Sequence, residues 1–244
     1  NGFYYARLKF AFEGIDFNPR AFNLTADVSH DEEGMGEMGL LIASRSVDRM
    51  SIFHNAMEGT GFILIKEKTY PEAAAWENEA PPTTDGLSFG TPGEEDLKVL
   101  ARSIVGRYDP FLYLQDFRYP GKVVDMVASG EFRAITATDK KGRIAGGMIW
   151  RLSGTSMIEC YGPYVFVNEG RENVAEQLVT GVISSVARSD AVCLMNTYAT
   201  EDLPQGYFEE FGTIDFTYNG KKRPWRFLFR QLKEDPGCRV YAHA

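Results

Sequence analysis

Residues 165–186, "VFVNEGRENVAEQLVTGVISSV", constrain the fold of this chain more than any other stretch. An apolar strand passes through one short polar loop into a helix. In that helix Val174, Ala175, Leu178, Val182, Ile183 and Val186 recur at helical spacing and form one apolar stripe. The stripe has to lie on another apolar surface, and the preceding strand belongs to a sheet that can provide it. The stretch therefore predicts an α/β or α+β domain with one central sheet. The loop also bears on function. The first amides of a helix have no partner within it, and a strand–loop–helix layout often cradles a phosphate-bearing cofactor there. Such loops lean on glycine, and this one has a single glycine, Gly170.

Residues 72–93 carry Pro81, Pro82, Pro92 and three glycines with little apolar periodicity. They read as a linker between a first part, 1–71, and a second, 94–244. In the first part "YYARLKFAFEG" is a strand. The cluster Gly34, Gly36 and Gly39 precedes a helix over "GLLIASRSVDRM", and two strands follow around a Gly59-Thr60-Gly61 turn. In the second part, "EEDLKVLARSIVGRY" is a helix with Leu97, Leu100, Ala101, Ile104 and Val105 on one face. A shorter helix runs from Pro120 to Gly130, and a hairpin turns at Lys140-Lys141-Gly142. The strand "SMIECYGPYVFV" is broken at Gly162-Pro163, where proline cannot donate to a ladder. After the central helix come a strand "AVCLMNTYA", a short helix "PQGYFEEFG", and a final strand pair "TIDFTYN" and "PWRFLFRQL".

Composition removes several functions. Net charge is -8, which disfavours indiscriminate binding of nucleic acid or an anionic membrane. No apolar run is long enough to span a bilayer, and no signal-peptide pattern opens the chain. Cys160, Cys193 and Cys238 lie far apart without CxxC spacing, as expected for free thiols in a cytoplasmic protein. His30, His54 and His243 have no metal-ligand spacing, so no metal site is expected. The basic run from Lys221, "KKRPWRF", reads as a solvated hairpin end in so acidic a chain. Neither acceptor substrate nor oligomeric state is written in the sequence.

The succession of elements over about residues 94–233, with the two stretches "VFVNEGRENVAEQLV" and "LMNTYATEDLPQGYFEEFG", resembles the GCN5-related N-acetyltransferases. The resemblance implies a central mixed, mostly antiparallel sheet with flanking helices, and a site for acetyl-CoA or CoA. Strand residues Phe166 and Val167 would bond the pantetheine arm. Asn173, Val174 and Ala175 would hold the pyrophosphate with backbone amides. The family's Gln/Arg-x-x-Gly-x-Gly/Ala loop is met by Gly170, Asn173 and Ala175, with Arg171 in the role of the missing Gln or Arg. The family's tyrosine acid, in its Tyr-Glu-x-x-Gly-Phe signature, falls on Phe208, and a phenyl ring cannot protonate a thiolate. Tyr207, Tyr161 and Tyr164 are candidate substitutes, although Tyr mostly packs with its hydroxyl at a rim. Glu159 is a candidate general base acting through water, or simply an exposed strand residue.

The first part resembles the C-terminal portion of anti-sigma-factor-type GHKL ATPases, a small α+β half-module. "FEGIDFNPRAF" is similar to that family's Asp-x-Gly segment, "GMGEMGLLIASRSVD" to its glycine-rich lid and "HNAMEGTGFILIKEK" to its closing hairpin. Phe12 stands where an acid would read adenine, and the helix bearing the metal-binding Asn lies upstream of these residues in that family. ATP binding is therefore not expected. Together the two resemblances imply a regulatory or sensing protein that engages a protein partner through its N-terminal segment and binds acyl-CoA without efficient turnover. The alternative is an active N-acetyltransferase moving an acetyl group from acetyl-CoA to an amine.

Overall fold

The computed structural model describes residues 4–12, 42–55, 57–74, 81–154, 156–218 and 220–233. Two compact units meet in sequence between Thr69 and Tyr70. The first unit holds a three-stranded antiparallel sheet in the order β1-β3-β2, with β1 at Tyr5–Phe12, β2 at Arg49–Asn55 and β3 at Gly59–Glu67. The hairpin closes earlier than the sequence implies. Asn55 already pairs with Gly59, whose φ of 75° suits glycine, and Thr60 and Gly61 belong to β3. A side chain at Gly61 would collide with the Phe10 carbonyl, so the position is a close strand approach and not a turn. Of the helix predicted over 39–50, the described part is helical at 42–46 and gives way to β2 by Arg49. Asp48 draws the chain into the sheet: its amide donates to Ile65 O (2.9 Å), and its carboxylate accepts the Glu67 amide (2.6 Å). Gly34, Gly36 and Gly39, with most of the supposed ATP-binding segment, lie outside the described residues. Phe12 ends β1, edge-on to Phe62.

The second unit is a mixed, mostly antiparallel seven-stranded sheet in the order β4-β5-β6-β7-β8-β10-β9. Its strands are β4 Ser88–Gly90, β5 Phe132–Thr138, β6 Ile144–Ser153, β7 Met157–Val165, β8 Cys193–Tyr198, β9 Glu209–Tyr218 and β10 Lys221–Gln231. Among the described residues the one parallel pair is β7 with β8, joined by the crossover helix that residues 165–186 predict. The supposed linker is partly structural, since β4 pairs with β5. Helix α1 spans Glu94–Arg107, α2 Pro120–Ala128 and α3 Arg171–Val186, with a 3-10 turn at Gln115–Arg118. At the start of α1, three acidic residues complement the helix dipole, and Asp96 accepts the Gly93 amide. Adjacent glycines on β6 show how the layers stack. A side chain on Gly146 would strike Val174 and Leu178 of α3, and one on Gly147 would strike Leu100 of α1. The two helices therefore cover opposite faces of the sheet. The expected helix at "PQGYFEEFG" does not form. Gly206 has φ 78°, and from Glu209 the chain pairs with β10, so sheet pairing overrides any helical preference.

Candidate functional site

The site is an opening in the sheet. Along β7, Tyr161 faces Ile149 and Tyr164 faces Gly147, so Gly162 and Pro163 together bulge opposite Met148. Gly162 has φ 100°, which a side chain would strain. Pairing between β7 and β8 ends at Tyr161 and Tyr198, while β7 continues to Val165. From there the backbone of β7 is bonded by side chains. Asn196 Nδ2 donates to Gly162 O (2.6 Å) and Thr200 Oγ1 to Pro163 O (2.5 Å). The Tyr108 hydroxyl accepts the Val165 amide (2.6 Å) and lies 3.1 Å from the Val165 carbonyl. Arg107 donates to Phe166 O (2.5 Å) and Arg171 to Val167 O (2.9 Å).

These side chains are linked to one another. Tyr108 Oη is 2.8 Å from Asp202 Oδ2, and Arg171 grips both oxygens of Asp202 at 2.7 Å. Burial raises the Tyr108 pKa, with the Asp202 carboxylate adding to the rise and the Val165 amide opposing it. Tyr108 is thus a neutral phenol at physiological pH. Burial likewise raises Tyr164, whose hydroxyl donates to Leu112 O (3.0 Å). Two cavities flank the opening. One, of ≈ 470 Å³, is lined by Arg107, Tyr108, Val165 and Arg171 among others. The second, of ≈ 420 Å³, is walled by Thr197, Thr200, Pro224 and Trp225. Phe111, Leu112 and Glu201 line both. The Trp225 indole donates to Thr197 O (2.6 Å), covering the end of β8 where ladder pairing with β10 has stopped.

The residues singled out from sequence separate. Phe166, Val167 and Arg171 converge on the opening. Arg171 is committed to Asp202 instead of standing free for a phosphate. Val174 already donates to Gly170 O, so the amides without an intrahelical acceptor are those of Arg171, Glu172 and Asn173, two residues before the expected Asn173–Ala175, with Asn173 common to both. The Asn173 side chain accepts from Gln177. Glu159 sits on β7 before the bulge, in an ion pair with Arg151 (2.8 Å), and is no exposed strand residue. The Tyr161 hydroxyl is buried beside it with no hydrogen-bond partner. Tyr207 lies against α3, its hydroxyl 3.5 Å from Thr180 Oγ1, and lines neither cavity. Tyr207 and Phe208 both pack against the core cluster that includes Val174, Leu178 and Val182. Among the described residues no three His, Cys, Asp or Glu gather as for a metal ion, and no helix is long and apolar enough to cross a membrane.

Sequence reasoning missed Tyr108, Glu201, Asp202 and Trp225. Tyr108 and Asp202 are 94 residues apart and belong to no motif, so only the fold brings them together.

No family model matches the sequence, and no curated protein matches it. Among solved structures, the chain is similar to an aminoglycoside 6'-acetyltransferase type Ii, at 18% identity over 61% of this chain and 99% of that one, TM-score 0.46. It is also similar to a mutant spermidine/spermine N-acetyltransferase of Vibrio cholerae, at 11% identity over 60% and 95%, TM-score 0.45.

Proposed function

We propose that the second unit is an acyl-CoA-dependent N-acyltransferase acting on a primary amine. The observation that carries this reading is the parting of β7 from β8 beyond Tyr161 and Tyr198, which leaves an edge of β7 bonded by side chains alone. An extended chain containing amides can bond such an edge as a strand would. The pantetheine arm of CoA is such a chain, and the residues fit it. Val165 offers both an amide and a carbonyl to the opening, and Val167 a carbonyl. The amides of Arg171, Glu172 and Asn173 at the start of α3 offer donors for the pyrophosphate. Acetyl-CoA bound there would supply an activated acyl group.

The amine belongs in the cavity walled by Trp225, Phe111 and Pro224, on the other side of Glu201. Its nitrogen lone pair forms the new C–N bond as the C–S bond breaks and the electron pair leaves with sulfur. Glu201 lines both cavities, so its carboxylate is placed to take the proton the amine loses. Glu159 is unsuited to that role because Arg151 already holds it. Binding without efficient turnover was expected because both resemblances lack an acid, with Phe12 in the first part and Phe208 at the position of the family's helical tyrosine. The chain has turns there, so Phe208 carries no weight against catalysis.

The test is thiol release from acetyl-CoA with a panel of aliphatic and aromatic amines. Amine-dependent release is expected. Glu201→Gln should lower it by ~10²-fold, within the range for general-base assistance. A protein that releases thiol no faster with any amine than without one would overturn the reading.

A further inference from the structure

We propose that Tyr108 and Asp202 form a latch that closes the β7 edge in the unliganded protein, and that an acyl-CoA arm must displace the Tyr108 hydroxyl to bind; the inference rests on the acyl-CoA reading above. One hydroxyl does the work of a missing strand. It accepts the Val165 amide and stands within donating distance of the Val165 carbonyl. These are the groups an amide-bearing chain would use, so the two occupants exclude each other.

Tyr108 has one proton and two neighbouring acceptors, Asp202 at 2.8 Å and Val165 O at 3.1 Å. A donor satisfying the nearer carboxylate leaves the carbonyl only a weak partner, so a ligand amide that bonds the carbonyl well can compete there. Asp202 in turn holds Arg171, and Arg171 holds Val167 O. Release of the one contact therefore loosens the next, and Arg171 is then in place for the phosphates. The backbone permits the motion. Tyr108 is the C-cap of α1 with extended φ/ψ, so its side chain can swing with the following loop while the helix stays wound. That loop contributes Phe111 and Leu112 to both cavities.

Tyr108→Phe keeps the ring that packs edge-on against Tyr164 and removes the hydroxyl. Two readouts separate the latch from the function. The first is hydrogen exchange at the Val165 amide without ligand, which should speed up about fivefold to tenfold, the worth of one net hydrogen bond. The second is calorimetric titration with CoA, where affinity should rise by a similar factor. Asp202→Asn, which weakens the grip on Arg171 without changing shape, should shift both in the same direction by less. Unchanged exchange at Val165 in a folded Tyr108→Phe protein would overturn the latch. So would faster exchange with CoA affinity equal or lower, because Tyr108 would then not oppose the ligand. Faster exchange with no CoA binding by either protein would support the closure and overturn the acyl-CoA reading.

Discussion

Asp139 illustrates how much one side chain can hold. Its side chain is 1% exposed and accepts amides from Thr83, Lys141 and Arg143 as well as the Arg143 guanidinium. Burial alone would raise its pKa, but these donors outweigh it and hold the carboxyl well below the usual carboxylate range. The stability it contributes is therefore complete above the ordinary aspartate value, about 3.9, and is lost as pH falls from there through the lowered folded value. Asp139→Ala should cost about 1–3 kcal/mol at pH 7, since it leaves several partly buried donors without their acceptor, and should flatten the acid limb of the stability profile below pH 4. Denaturant melts across pH 2.5–7 would check both. An acid limb identical to that of the unmodified protein would refute the assignment. None of this was legible in sequence beyond a turn at Lys140-Lys141-Gly142. Thr83 lies in a stretch that reads as linker, and only the folded chain brings its amide to Asp139. Tyr108 was hidden for the same reason, whereas Phe166, Val167 and Arg171 could be read as neighbours because strand, loop and helix are contiguous in sequence.

At the scale of elements, periodicity served well wherever an element buries one face by itself. The α1 and α3 stripes and the β5–β6 hairpin stand where the pattern puts them, and the β9–β10 pair forms with each strand starting earlier than read, at Glu209 and Lys221. It failed where pairing partners decide. The 39–50 stretch has helical spacing, yet β3 claims it from Asp48 onward, and "PQGYFEEFG" yields to β10. The Gly162-Pro163 break, read as an interruption of the strand, is a bulge within β7, and it lies where β8 stops pairing and proline's missing donor is not needed. The β6 glycines give the element-scale prediction. A Cβ on Gly146 would come within 2.7 Å of the Tyr164 carbonyl and 3.2 Å of Leu178, so neither backbone nor helix can yield easily. Gly146→Ala should destabilise by about 1–3 kcal/mol through overpacking. Gly90→Ala on β4 would meet nothing within 4 Å and should stay within about 0.5 kcal/mol. Equal unfolding midpoints for the two variants would mean that α3 does not press on β6 as described.

For the whole molecule, the two units differ in what each can bury by itself. In the second, a sheet of seven strands is covered on both faces by its own helices, and its core runs from Ala137 through Met148, Val165 and Leu178 to Leu194. A sheet sealed in this way needs no further layer to fold. The first unit's described part is a three-stranded sheet and the helical residues 42–46, with Leu8, Phe10 and Phe12 on β1 and Ile52 on β2 all more than a third exposed. A small antiparallel sheet with its apolar side chains in water gains little from folding. A fragment beginning at Tyr70 should therefore unfold in one cooperative transition with a denaturant slope suited to its size. A fragment ending at Thr69, the smaller of the two, should unfold with a shallower denaturant slope under the same conditions. The comparison is direct, by circular dichroism in urea on each fragment beside the full chain. A non-cooperative Tyr70 fragment would show that the second unit's core is insufficient without residues 1–69, and would require the site beside β7 to be studied only in the full chain.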